Sequence, residues 1–283
     1  MSEPLIAAQR VAEAADRAWH GAGAGTDEGV CVGVIAAPAL LGRADPEGPD
    51  PRDQTLGLGD EEVAQLLGEV WALFTLSRPD LAFRCGPFGE WLNAEEPDRH
   101  LLAGAGAVAR TAVKSGLLEL TLDRDVARQV DLLGCVYAMM RSQTAKAARG
   151  EFYTPLHVAE MMAQVSLGGL SPGRSICDPT AGTGGLLRAA ASTLRADGRD
   201  PGDYLWYGCD ISPVAVAGLA VNAHIWGLGH QVVIGCADSL AEPDWEVRAL
   251  REQREAIEAQ ALHVKSVEAL GAIRALLVEE PSS

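Results

Sequence analysis

DPTAGTGG, residues 178–185, decides how this chain is read. It follows the short apolar run RSIC (174–177) and precedes LLRAAASTLRA (186–196), so a strand enters a Gly-rich turn and leaves it as a helix. YLWYGCD (204–210) reads as a second strand, and Ser212-Pro213 then gives an N-cap followed by proline, the start of a helix running to about Trp226. QVVIGCAD (231–238) reads as a third strand. Strand, helix, strand, helix, strand implies parallel strands with helical crossovers, the beginning of a doubly wound α/β sheet.

Working outward, Thr154-Pro155 repeats the cap-plus-proline signal for a helix to about Leu167, ended by Gly168-Gly169. The last stretch, Trp245 to Glu279, repeats apolar residues every three or four positions and reads as one long helix. Upstream, residues 1–20 predict a helix, 21–59 an irregular region with one apolar run (30–41) that fits either a strand or a buried helix. Asp60 predicts the cap of a further helix, and others are expected within 97–115 and over 123–147. The expected division is a mainly helical N-terminal domain (1–149), an α/β domain (150–243) and a C-terminal helix (244–283).

A hydrophobic fraction of 48% and a charged fraction of 22% fit a globular protein with a sizeable core. The longest apolar stretch, Val30 to Leu41, is broken by Gly33 and Pro38 and falls short of the roughly 20 residues that span a bilayer. MSEPLIAAQR lacks the basic-then-apolar build of a signal peptide, so a cytoplasmic location and no membrane partner are expected. Six scattered cysteines with no CxxC pair predict buried thiols and no metal site. A net charge of −16 opposes strong binding to DNA by this chain alone.

Ligands of open α/β sheets sit at the carboxyl ends of the strands, and each of the three strands here ends in an aspartate. Asp178 opens the Gly-rich turn, in which Gly182, Gly184 and Gly185 permit close backbone approach. Asp210 stands where a carboxylate can accept ribose hydroxyls, and Asp238 where one can accept an adenine amino group. Each alone is more readily a cap or turn residue. Three in register make a nucleoside-like ligand the stronger reading. The spacing is not GxGxxG, so a dinucleotide is not indicated.

GEFYTP (150–155) followed by DPTAGTGG resembles the N6-adenine DNA methyltransferases that serve as modification subunits of type I restriction systems, and DLLGCVY (131–137), YGCDISP and CADSL extend the resemblance over about residues 125–240. The resemblance implies a Rossmann-like S-adenosylmethionine domain, here truncated to its cofactor half. Carried over by position, it places Glu151, Phe152, Tyr153 and Thr154 at the methionine end of the cofactor. It places Asp178, Thr180, Gly182, Thr183 and Gly184 around its centre, Asp210 and Ile211 at ribose and adenine, and Asp238 at the adenine amino group. The family has glutamate as a rule where this chain has Asp210. The implied partners are DNA, bound weakly by this chain alone, and a catalytic or specificity subunit. Separately, the length of the C-terminal helix allows a second copy to join there, although packing on the domain's own surface is the stronger reading of its apolar stripe.

The family's catalytic motif, NPPF, NPPY or DPPY at the end of a fourth strand, has no counterpart. The sequence contains no Pro-Pro dipeptide, and its two asparagines, Asn93 and Asn222, do not precede proline. The expected window holds REQREAIEAQ (251–260), which is helical; EPDW (242–245) lies too early, and CGPFGEW (85–91), the best site under a circular permutation, lacks the Asn or Asp. No catalytic residue is therefore named. The expectation is a family member that needs a partner for catalysis; the competing readings are a catalytically silent S-adenosylmethionine sensor or interaction module, and a small-molecule methyltransferase, for which GEFYTP would be unexpected.

Overall fold

The computed structural model describes residues 2–41, 48–141 and 154–278, with backbone alone over 271–278. Its N-terminal half is helical: α1 (Glu3–Gly21), α2 (Glu28–Leu40), α3 (Pro51–Gly57), α4 (Asp60–Ser77), the single turns α5 (Pro79–Ala82) and α6 (Gly86–Gly89), α7 (Arg99–Lys114), α8 (Leu117–Thr121), α9 (Arg124–Ala127) and α10 (Leu132–Met140). The second half runs α11 (Leu156–Ser166), β1 (Ser175–Asp178), α12 (Gly185–Ala196), β2 (Leu205–Asp210), α13 (Pro213–Ile225), β3 (Val232–Cys236) and α14 (Trp245–Val278).

The apolar run 30–41 is the buried helix α2. Asp27 caps it by accepting the N–H groups of Gly29 and Val30, and every residue from Gly29 to Ala37 is buried. A helix apolar on all sides must be surrounded, and α2 packs against α7, α6 and α13. The region 21–59 is thus less irregular than its Gly and Pro content suggests, since α2 and α3 both form within it. Two helix starts lie one residue from the expected place. Gly59 caps α4, with the Glu62 carboxylate accepting its N–H at 2.7 Å, and Asp60 is the first helical residue. Pro155, not Thr154, occupies the N-cap of α11. The helix expected over 123–147 is broken into α9 and α10, because Asp131 caps a new helix by accepting the Gly134 N–H at 2.8 Å.

The sheet is parallel, in the order β1-β2-β3. Cys177 pairs with Tyr207, and Tyr207 with Val233. Residues Ile176, Asp178, Trp206, Gly208, Val232 and Ile234 therefore share one face, while Cys177, Tyr207, Cys209 and Val233 share the other. The first face joins a core continuous with the N-terminal helices, with Trp206, Trp226 and Trp19 fully buried. On the second, Trp245 and Ala249 of α14 cover Cys209 and Val233, whereas Ser175 and Cys177 stay exposed. Cys177 departs from the expected set of buried thiols; Cys31, Cys85 and Cys209 keep to it.

The first turns of α14 are latched along the outer edge of β3. Arg84 donates to the Ile234 carbonyl at 3.0 Å and to Glu252 at 2.5 Å. Gln253 donates to the carbonyls of Val232 at 2.6 Å and Asp80 at 3.0 Å. Beyond the latch, Leu262, Val267 and Leu270 are exposed. Among the described residues no helix is long and apolar enough to cross a membrane.

Candidate functional site

Three loops leave the carboxyl ends of β1, β2 and β3 side by side. The first, after Asp178, is shaped by its own backbone: Thr180 N–H donates to Asp178 Oδ1 at 3.1 Å, and Gly184 N–H to the Ala181 carbonyl at 2.8 Å. Ala181 N–H closes on the Cys209 carbonyl at 2.7 Å, seating the turn on the end of β2. Gly182 and Gly184 both have left-handed φ, +56° and +99°. At Gly184 glycine is required twice over, because a Cβ would stand 2.6 Å from Leu219 Cδ1 and 2.9 Å from the Trp226 ring.

Asp210 joins the first and second loops. Its Oδ2 accepts the Gly182 N–H and its Oδ1 accepts the Ser212 N–H, each at 2.9 Å. Each carboxylate oxygen keeps a further lone pair for a ligand hydroxyl. Ser212 caps α13 through Ala215 N–H at 3.4 Å, and Ile211 beside it is 68% exposed, an apolar side chain held in solvent at the strand ends. Asp238 is exposed, and its Oδ1 accepts the N–H groups of Leu240 and Ala241 at 3.0 and 3.3 Å. Its second oxygen makes none of these bonds.

Burial pushes the Asp178 carboxyl up from the usual range; the Thr180 N–H bond opposes this, and the Asp210 charge adds to it. The three loops contain no Lys or Arg. Two carboxylates flanking a Gly-rich turn make the strand ends unfavourable for a phosphate and favourable for a ligand carrying positive charge and hydroxyls. Among the described residues no cluster of His, Cys, Asp and Glu could hold a metal ion. An apolar cavity of about 300 Å³ lies elsewhere, between α2, α4 and α7, lined by Val34, Leu67, Val70, Ala109 and Val113; no group lining it is ionisable.

Of the residues singled out by sequence, Asp178, Thr180, Gly182, Gly184, Asp210 and Ile211 come together at the ends of β1 and β2. Asp238 stands at the end of β3, and exposed Thr154 precedes α11. Thr183 belongs to the same turn, but its side chain points inward: its hydroxyl donates to Asp131 Oδ2 at 2.6 Å. Glu151, Phe152 and Tyr153 lie outside the described residues.

Sequence reasoning missed the group behind the loop. Asp131 Oδ1 accepts Asn222 Nδ2 at 2.9 Å, and Asn222 also donates to the Thr183 carbonyl at 2.9 Å. Tyr137 Oη and Ser212 Oγ share a hydrogen bond of 2.7 Å, and buried Arg141 donates to the same Tyr137 oxygen. The spacing Asp131-x-x-Gly134 was a legible cap signal, overlooked because the surrounding apolar stripe reads as a continuous helix.

Residues 128–261 match the model of the N-6 DNA Methylase family. Among solved structures, the methyltransferase subunit of a type I restriction-modification system from Streptococcus thermophilus is 20% identical, with a TM-score of 0.43. The match covers 86% of this chain and 59% of that one, so this chain spans about three fifths of its length.

Proposed function

From the match of residues 128–261 to the N-6 DNA Methylase family model, we propose that this chain binds S-adenosylmethionine at the carboxyl ends of β1–β3 and serves DNA adenine-N6 methylation with a partner polypeptide. The observation that carries the reading is the Asp178–Asp210 pair around a Gly-rich turn without a cation. That site suits a sulfonium ion and a ribose, and disfavours a phosphate. S-adenosylmethionine supplies an electrophilic methyl group when bound. The chain's own residues hold it: Asp210 accepts ribose hydroxyls with its remaining lone pairs, Ile211 lies against the adenine, and Asp238 accepts the adenine amino group through the oxygen its turn leaves over. Thr180, Gly182 and Gly184 line the centre, and Thr154, ahead of α11, belongs to the methionine end.

The need for a partner rests on three features. No Pro-Pro motif stands in the sequence to accept hydrogen bonds from a target adenine. A net charge of −16 makes binding to DNA by this chain weak. Among the described residues β1 pairs only with β2, and exposed Ser175 and Cys177 border its other edge, where a further parallel strand can add. The distal turns of α14 are the surface assigned to a partner subunit or a second copy. The location proposed with this role is the cytoplasm.

Calorimetric titration with S-adenosylmethionine tests the cofactor assignment, and no heat from wild-type protein overturns it. Methyl incorporation into adenine-containing DNA tests the rest. The expected result is none from this chain alone and incorporation when a chain bearing an NPPF-type motif is added. Binding with no incorporation in either case favours the second reading, a catalytically silent sensor, to which the absent motif also points.

A further inference from the structure

The first two of the three loops are held from behind by a single short helix. We propose that α10 is the positioning strut of the cofactor site, with Asp131 at its N-cap setting the Gly-rich loop through Thr183, and Tyr137 setting the second loop through Ser212. The inference rests on the cofactor reading above and adds residues that contact no ligand.

Asp131 accepts three hydrogen bonds from three elements: Gly134 N–H from its own helix at 2.8 Å, Thr183 Oγ1 from the Gly-rich turn at 2.6 Å, and Asn222 Nδ2 from α13 at 2.9 Å. Asn222 closes the ring by donating to the Thr183 carbonyl at 2.9 Å. The loop residue is therefore gripped by side chain and backbone together. A carboxylate taken from water is costly unless its partners are kept, so each of the three donors, Thr183 among them, is held to its place by Asp131. Gly134 makes the approach possible, since a Cβ there would stand 2.3 Å from Asp131 Oδ2 and 2.7 Å from Thr183 Oγ1. Arg188 adds a buried positive charge nearby, its guanidinium donating to the Gln129 carbonyl at 3.1 Å.

Less than two turns further on, Tyr137 reaches the other loop. Its hydroxyl lies 2.7 Å from Ser212 Oγ, the cap of α13, and Ser212 N–H is in turn bound by Asp210. Asp131 and Tyr137 are six residues apart on one rigid helix, so the separation of their two grips is fixed by helix geometry. The Gly182 N–H and the Asp210 carboxylate, which face the proposed ligand, inherit that separation.

The test uses the full chain and two readouts. Amide hydrogen exchange in ligand-free protein follows residues 179–185 and 210–214, with β2 and β3 as internal reference; titration with S-adenosylmethionine reads affinity. Thr183→Val removes the hydroxyl and keeps the shape, Thr183→Ser restores the hydroxyl, and Tyr137→Phe removes only the oxygen. Expected are faster exchange confined to the first loop in Thr183→Val and to the second in Tyr137→Phe, with recovery in Thr183→Ser. Affinity should fall on the order of tenfold in Thr183→Val and Tyr137→Phe. Loop exchange equal to wild type in both Thr183→Val and Tyr137→Phe overturns the proposal whatever the titration gives. So does exchange rising equally throughout the sheet. If the loops loosen as expected while wild type takes up no S-adenosylmethionine, the strut stands and the cofactor reading falls.

Discussion

Asp210 and Gly182 are joined by a 2.9 Å hydrogen bond across 28 residues of sequence, from a strand-end carboxylate to a loop N–H. The same carboxylate holds Ser212 N–H. Asp210→Ala therefore removes a proposed ligand-binding group and the clasp between two loops at once. Titration with S-adenosylmethionine should show affinity reduced by about 10–100-fold, the range for losing one or two charge-assisted hydrogen bonds. Asp210→Asn, which keeps one acceptor oxygen, should fall between. Wild-type affinity in Asp210→Ala would remove this residue from the site.

Two glycines of the same turn should respond differently to alanine. At Gly184 the left-handed φ adds to a clash with Leu219 and Trp226, and urea unfolding should show a loss of about 2–4 kcal/mol. At Gly182, with φ of +56° but open space around it, the expected loss is about 1 kcal/mol. Equal losses would mean that the turn does not pack on α13 as described.

His224 should make the protein sensitive to acid. Burial, helped by the nearby Arg78 and Arg124 charges, holds its imidazole down at about 4, below the ordinary 6.5. Its ring packs edge-on against Phe74 at 5.5 Å. Between pH 6.5 and about 4 the unfolded chain binds a proton that the folded chain refuses, so stability rises with pH and is lost as pH falls. Buried Asp131 and Asp178, whose carboxyls are pushed up, give the opposite slope above the usual carboxylate range. They are common to wild type and His224→Gln, so urea midpoints at pH 7 and pH 5 for both proteins isolate the histidine. The variant should lose less stability over that interval.

The thiols should separate by position. Cys177 lies exposed on β1, whereas Cys31 and Cys85 are buried and burial pushes their thiols up. Alkylation at pH 8 read by mass spectrometry should mark Cys177 first and leave Cys31 and Cys85 untouched until denaturant is added. Native labelling of Cys85 would contradict the packing of α6 on α2. A partner strand laid along β1 should slow the labelling of Cys177.

The α/β half was legible because its signals are local. Each strand is a short apolar run closed by aspartate, and Ser212-Pro213 starts a helix that forms where expected. The helical half was harder to read, since α2 has no polar face and its fate depends on neighbours far away in sequence. Asp131 was hidden for a related reason. The apolar stripe through Val126, Val130 and Leu133 continues across a break between α9 and α10 that only the cap reveals. Thr183 shows the limit of carrying roles over by position: it sits in the expected turn, yet its hydroxyl serves the protein's interior.

The latch on α14 has a metric consequence. Arg84 and Gln253 pin the helix at residues 252 and 253, so its angle of departure is set by β3 and α5. From Glu252 to Leu270 the axis advances about 27 Å at roughly 1.5 Å per residue. Any body seated on those outer turns is held at a standing distance from the strand ends, and two chains joined there would keep their strand ends at a set span. With such a body in place the helix would work as a measuring rod, and lengthening it by one full turn should shift that span by about 5 Å without disturbing the loops at its base.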